Sequence, residues 1–399
     1  MQDHGSALHS RSLVQGTGRQ VHKAARHIPS LDGIRAISFL LVFVAHAGLE
    51  RVVPGGFGVT IFFFLSGFII TTLLRTEIES TGSLNFRHFW LRRALRILPA
   101  FYLVLMVATL AALLLYPPGT LQAAAVAAQA LHVANYWTVF HGYDGVAPGT
   151  GVYWSLAVEE HFYLLFPLLY VAMHKWHLPR ARQALLFWSL CAALLAWRCV
   201  LVLGMHVVSD RTYLATDTRF DSILFGCALA VWNNPALDRP RTRPHLWIYL
   251  ILPAAFAALL ACVVYRAPAF RETWRYSIQG VALTFVFMAA IRFDHWPLFR
   301  FLNFKPVAFI GVLSYSLYLV HQVLLDAVDT LLPHTHPLLR ALIALAASVC
   351  VAWLMWQYIE KPCARLRARL KDQTRFTGQP WREVARVTPA GAVGAQQRP

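Results

Sequence analysis

Ten long apolar stretches alternate with short polar segments along this 399-residue chain. They lie near 31–50, 56–74, 96–116, 154–174, 184–204, 219–233, 246–265, 276–292, 306–328 and 339–359. A helix needs about 20 apolar residues to cross the hydrocarbon of a bilayer. The pattern therefore predicts an all-α integral membrane protein of about ten transmembrane helices. The third and tenth stretches are the clearest, whereas the sixth is short and polar at its start. The Ala-rich segment Leu121–Trp137 is a further candidate, interrupted by Gln122, Gln129, His132 and Asn135.

Charge decides how that segment is read. With 121–137 left out of the count, 27 of the 36 lysines and arginines fall on one side of the membrane, five on the other and four within spans. The positive-inside rule then puts both termini in the cytoplasm. Counting 121–137 as a span would flip every later loop and erase the asymmetry, so it is expected to be an outer-side re-entrant or interfacial helix. Residues 1–30 read as a basic cytoplasmic tail without the apolar core of a signal peptide. The membrane domain is 31–362, and 363–399 is expected to be a flexible basic cytoplasmic tail.

Composition agrees with this class. The chain is 57% hydrophobic and only 14% charged, where a soluble domain would have roughly 25% charged residues. The net charge of +17 sits mostly in short loops, where it orients helices, so no nucleic-acid partner is inferred. The six cysteines contain no CxxC pair and read as small buried hydrophobes.

Ionisable residues inside the apolar stretches are the candidate chemistry, because such groups are costly in a bilayer. Arg35 and His46 share the first stretch, and eleven helical residues put them on one face about 16 Å apart. The candidates divide into two layers. An inner layer holds Asp32 and Arg35 at the start of the first helix, with Arg92, Arg93 and Arg96 at the entrance to the third. Forked guanidinium groups pair bidentately with phosphate oxygens; an ordinary positive-inside anchor would look the same. An outer layer holds His46, Glu159, Glu160, Arg219, Asp221 and His321. Neutral imidazole can take a proton from a hydroxyl while a carboxylate orients it, which favours His46 as a general base with Glu159 beside it. No HExxH motif, nucleophile elbow or P-loop is present, so no metal is expected. Ser66, beside Gly67, reads as a helix-packing position.

The chain resembles the acyltransferase-3 family of integral membrane O-acyltransferases. The resemblance rests on Leu31-Asp32-Gly33-Ile34-Arg35-Ala36 with His46, on Gly58-Val59 through Phe62-Phe63-Phe64-Leu65-Ser66-Gly67-Phe68, and on Arg92-Arg93-Ala94-Leu95-Arg96-Ile97-Leu98-Pro99. It continues with Trp154-Ser155-Leu156-Ala157-Val158-Glu159, Ser314-Tyr315-Ser316-Leu317-Tyr318 with His321, and Ile359-Glu360-Lys361-Pro362. Together these cover about 30 to 362, and their order and spacing make the set specific.

The resemblance implies transfer of an acyl group, mostly acetyl from cytoplasmic acyl-CoA, to a carbohydrate hydroxyl. It makes His46 the essential base, Arg35 its partner in an Arg-x10-His motif, Arg93 and Arg96 an Arg-x-x-Arg motif, and Glu159 the acidic position after Trp-Ser-Leu. Arg35, Arg92, Arg93 and Arg96 would hold acyl-CoA. Asp32, Trp154, Arg219, Asp221, Tyr315 and His321 would support the site or face the acceptor. Acyl-CoA is then a co-substrate and no bound cofactor is expected. The other partners are a carbohydrate or glycolipid acceptor and membrane lipids, in a bacterial inner membrane. Some relatives carry a fused hydrolase-like domain; this sequence is read as the stand-alone type, completing transfer itself or handing over to a separate protein. A multispan transporter using His and Glu as a proton relay is the alternative, although no internal repeat is visible.

Overall fold

A computed structural model describes residues 28–239 and 244–377, side chains beyond 369 excepted. Among them, nine helices are long and apolar enough to cross a membrane. The first is α1 (Leu31–Val44), which runs on into a π-turn at Ala45–Leu49. Next come α2 (Gly55–Thr81) and α3 (Phe86–Leu115). Two short helices follow, α4 (Ala123–Ala130) and α5 (Ala134–His141), and then α6 (Trp154–Lys175) and α7 (Arg180–Cys199). The rest of the bundle is α8 (Thr216–Val231), α9 (Leu252–Val264), α10 (Trp274–Arg292), α11 (Lys305–Leu331), α12 (Pro337–Met355) and α13 (Lys361–Thr377).

The sixth expected span is α8, whose 16 residues reach only about 24 Å. It falls short of the nine by its length, and it faces protein on nearly every side, packed against α2, α7 and α10. A helix sheltered from lipid need not be uniformly apolar, which is why it can carry Arg219 and Asp221. Gly67 on α2 and Gly226 on α8 bring the two backbones into contact. A Cβ at Gly67 would lie 2.0 Å from the Ile223 carbonyl oxygen, and one at Gly226 would lie 2.0 Å from that of Phe64.

Segment 121–137 holds no helix long enough to cross a membrane. At eight residues each, α4 and α5 extend about 12 Å, and the chain breaks between them at His132, in the left-handed region (φ 56°). The residues that spoil the apolar pattern tie the pair to the bundle. The Gln129 amide donates to Thr150 Oγ1 at 2.8 Å, and that of Asn135 to Thr216 Oγ1 at 2.9 Å.

Both visible ends of the bundle lie on one side, called the near side below. The entry to α1 is pinned there by the Ser30 amide, which donates to Asn303 Oδ1 at 2.8 Å. At the same side Arg75 bridges Glu79 (2.9 Å) and Asp238, whose carboxylate also meets Arg180. The expected 1–30 tail lies, up to residue 27, outside the described residues. The flexible tail expected from 363 is corrected as far as residue 377, since α13 continues the last span. Pro362 lacks an amide hydrogen and would clash with the carbonyl four residues back; the π-turn Trp356–Glu360 just before it absorbs that strain.

Candidate active site

A cavity of about 90 Å³ lies where α1, α2, α3, α6 and α11 meet. Arg35, Arg93 and Arg96 stand in its wall with Ser66, Glu159 and Glu160. Arg35 donates to Asp32 at 2.6 Å. Arg93 lies over the rings of Phe89 (5.9 Å) and Tyr163 (6.0 Å), and its buried Nε has no partner among the described residues. Arg92 is turned away and pairs with Glu77 at 2.7 Å. Arg92 is thus absent from the cavity wall in which Arg93 stands. The expected four-arginine set is therefore reduced to three. Arg367 from α13 adds a further positive charge nearby.

The two-layer reading needs correction at Glu159 and Glu160, which share the cavity of the arginines. Glu159 Oε1 accepts a hydrogen bond from Ser66 Oγ at 2.6 Å, and Tyr163 OH donates to the same Ser66 Oγ at 3.2 Å. Glu159 sits deep because α6 starts deep. Tyr153, just before the helix, donates its hydroxyl to the Leu319 carbonyl at 3.1 Å. Leu319 lies twelve residues before the end of α11 at Leu331, about 18 Å along its axis.

His46 does not line this cavity. It projects from the π-turn that closes α1 and is exposed, with the chain turning at Gly48 (φ 98°). Its partner is the fully buried His321 of α11: His46 Nδ1 lies 3.0 Å from His321 Nε2, with the rings 4° from parallel. His321 Nδ1 lies 2.8 Å from the Tyr318 carbonyl oxygen. A carbonyl can only accept, so His321 carries its proton on Nδ1 and presents a lone pair on Nε2. His46 must then donate from Nδ1, leaving its Nε2 as a lone pair. The carboxylate expected beside His46 is thus replaced by a second imidazole and a backbone carbonyl.

Tyr318 and Phe62 separate cavity and dyad. Both line the cavity, their rings are 6.0 Å apart, and the Tyr318 ring is 5.5 Å from that of His321. The Tyr318 hydroxyl meets Ser155 Oγ at 2.7 Å. Tyr315 also lines the cavity and donates to the Ile97 carbonyl of α3 at 2.7 Å. Sequence reasoning missed Ser66, Tyr163 and Tyr318 as members of the site. Tyr318 had a usable signal, being three residues before His321 and so on its face.

Arg219, Asp221 and Trp154 do not reach the cavity. Arg219 is fully buried over Tyr276 (4.0 Å) and near Phe63, Trp154 and Tyr213, with one bond to Thr60 Oγ1 at 3.1 Å. Asp221 faces the opposite way, bound by Arg198 (2.7 Å) and Ser277 (3.2 Å). Residues two apart on a helix diverge by about 200°, so the two form separate networks. Trp154 packs edge-on to Phe63 and holds the wall from behind.

Comparison with known proteins places this arrangement in a family. A family profile described as "Acyltransferase domain" matches residues 28–357. Peptidoglycan O-acetyltransferase OatA of Listeria monocytogenes is 31% identical over 360 residues, covering 86% of this chain and 57% of that protein. O-acetyltransferase OatA of Staphylococcus aureus is 30% identical over 353 residues, covering 84% and 57%. The chain thus matches less than two thirds of the length of these curated relatives. No solved structure gives a significant match. With nearly the whole membrane bundle inside the matched region, the chain belongs to the acyltransferase-3 family of integral membrane acyltransferases.

Proposed function

We propose that this membrane protein transfers an acetyl group from acetyl-CoA to a carbohydrate hydroxyl, with His46 as the base that activates the acceptor. The observation that carries this reading is the proton order from the Tyr318 carbonyl through His321 to His46. It leaves an exposed lone pair on His46 Nε2, oriented from behind by a partner that is itself fixed, as a general base requires. On the other side of Tyr318, Arg35, Arg93 and Arg96 give the cavity a positive wall, with the Arg93 Nε donor unpartnered among the described residues. That wall suits the phosphates of CoA. At about 90 Å³ the cavity has room for several waters or a slender thioester arm, not for a sugar ring. Donor and acceptor would therefore approach from opposite sides, CoA from the near side and the glycan from the side of His46.

In this reading the near side is the cytoplasm and the protein sits in a bacterial inner membrane. The Listeria relative, named a peptidoglycan O-acetyltransferase, suggests a cell-wall or other surface glycan as acceptor. The test is acetyl-CoA binding to detergent-solubilised protein, with wild type compared with Arg93→Ala plus Arg96→Ala. Binding that the double change weakens at least tenfold supports the donor site. Absence of binding to wild type, or equal binding by both, overturns it.

A further inference from the structure

We propose that Ser66 carries the acyl group covalently between donor and acceptor, with Glu159 as the base that activates it. The inference rests on the acetyl-CoA reading above and adds a step within it. Two other buried helix hydroxyls, Ser316 to Glu360 and Ser277 to Asp221, donate to carboxylates outside the cavity, and many take the ordinary course of bonding back to the carbonyl four residues before. Ser38 does so to Ile34, Thr60 to Gly56, Thr284 to Gly280 and Ser348 to Ala344. Ser66 instead donates across the cavity to Glu159 at 2.6 Å, from a helix 93 residues away in sequence. A hydroxyl bonded to a carboxylate, and oriented by a third group, has the arrangement of an activated nucleophile. Tyr163 is that third group, donating to Ser66 Oγ at 3.2 Å.

Position supports the same role. Ser66 shares the cavity with Arg93 and Arg96, where the donor's phosphates would rest, while His46 is screened off by Phe62 and Tyr318. A thioester seated on the arginines therefore meets Ser66 before it can meet an acceptor held at His46. The backbone at Ser66 is also fixed, because the adjoining Gly67 lies flush against the Ile223 carbonyl of α8.

In the first step Ser66 Oγ gives its proton to the Glu159 carboxylate and attacks the thioester carbonyl. The C–S bond breaks, CoA leaves as a thiolate beside the arginines, and Ser66 becomes an ester. In the second step the Phe62 and Tyr318 rings swing aside, and the acceptor hydroxyl at the newly joined space gives its proton to His46 and attacks that ester. The C–Oγ bond breaks, and Ser66 recovers its proton from the Glu159 carboxylic acid. The proton on His46 and the charge on CoA thiolate balance the transfer.

The experiment incubates purified full-length protein with acetyl-CoA labelled in the acetyl group, without acceptor, followed by acid quench and peptide mapping. Wild type is expected to hold one acetyl group on the peptide containing Ser66, labile to hydroxylamine, and to release one CoA per labelled site in a burst. Ser66→Ala should bind acetyl-CoA as wild type does, with no label and no burst. Ser66→Cys, which keeps a nucleophile, should carry the label as a thioester. Wild type that binds acetyl-CoA and acetylates a glycan without ever holding label overturns the inference, as does Ser66→Ala transferring within about twofold of wild type. Label that persists in Ser66→Ala, or binding lost in that variant, overturns it too. Failure of wild type to bind acetyl-CoA would instead sink the donor reading, and the inference with it.

Discussion

His46 and His321 stack 5.3 Å apart, joined Nδ1 to Nε2 at 3.0 Å, although 275 residues separate them in the chain. The second imidazole fixes the tautomer of the first, as a carboxylate does in a catalytic triad, but adds no charge. His321→Phe removes the acceptor, frees the His46 ring and should lower acetyl transfer on the order of 10²-fold. His321→Gln can still accept from His46 Nδ1 and should recover part of that loss. Steady-state kinetics and donor titration check this, because the affinity for acetyl-CoA should be unchanged in both variants while kcat falls. A loss confined to that affinity would contradict the assignment.

The three cavity arginines should be separable from the fourth. Arg93→Ala and Arg96→Ala should each weaken acetyl-CoA binding about tenfold or more, the range of one charge-assisted hydrogen bond. Arg92→Ala should leave affinity within about threefold and reduce thermal stability slightly, since its partner is Glu77. Isothermal titration of the three variants gives the ranking.

The contact between α2 and α8 predicts a packing defect. A methyl group at Gly67 or Gly226 would meet backbone oxygen at 2.0 Å, so the helices must separate. Gly67→Ala should destabilise the protein by about 1–3 kcal/mol, the usual cost of overpacking. It should also impair transfer, because Ser66 moves with it. Gly82→Ala, at a helix end with open space around it, should leave transfer intact; its positive φ of 76° confines the cost to stability. Thermal melts and transfer assays of both variants make the comparison.

Asp238 gives a pH dependence at the near side. Burial alone would raise its carboxyl, but the hydrogen bonds and charge of Arg75 outweigh that and hold it below the ordinary value of 3.8. A depressed carboxyl stabilises the fold fully above its unfolded value, and that stabilisation is lost as pH falls through the lower folded value. Asp238→Asn should therefore melt earlier than wild type at pH 7, and the gap should close below about pH 4. Melting curves of both proteins across that range give the answer, and a gap that widens in acid would contradict it.

The bundle was legible in the sequence because lipid imposes a one-dimensional rule: a spanning helix must be apolar for about 20 residues. Spans such as 154–174 and 276–292 therefore fall within two residues of α6 and α10. Depth and facing were harder to read. Nothing in the numbering shows that α6 begins some 18 Å down the side of α11, so Glu159 was placed with His46 instead of with the arginines. Helical spacing allowed Arg96 to share a face with either Arg92 or Arg93, and only Glu77 decides between them. Asp221 stood beside Arg219 in sequence, yet its partner is Arg198 on α7. Ser66 looked like packing because Gly67 is a packing residue, and its bond to Glu159 is a tertiary fact. The shortness of α8 and its polar start were legible, whereas the helical start of the last tail was not, because the π-turn that carries the helix past Pro362 leaves no compositional trace.

The most direct test of the account is the O-acetyl content of surface glycans, measured by proton NMR in a deletion strain. The strain is complemented with wild type or His46→Ala at matched membrane levels. The account predicts acetyl signal restored by wild type and absent with His46→Ala. Equal restoration by both proteins would contradict His46 as the base and with it the proposed mechanism.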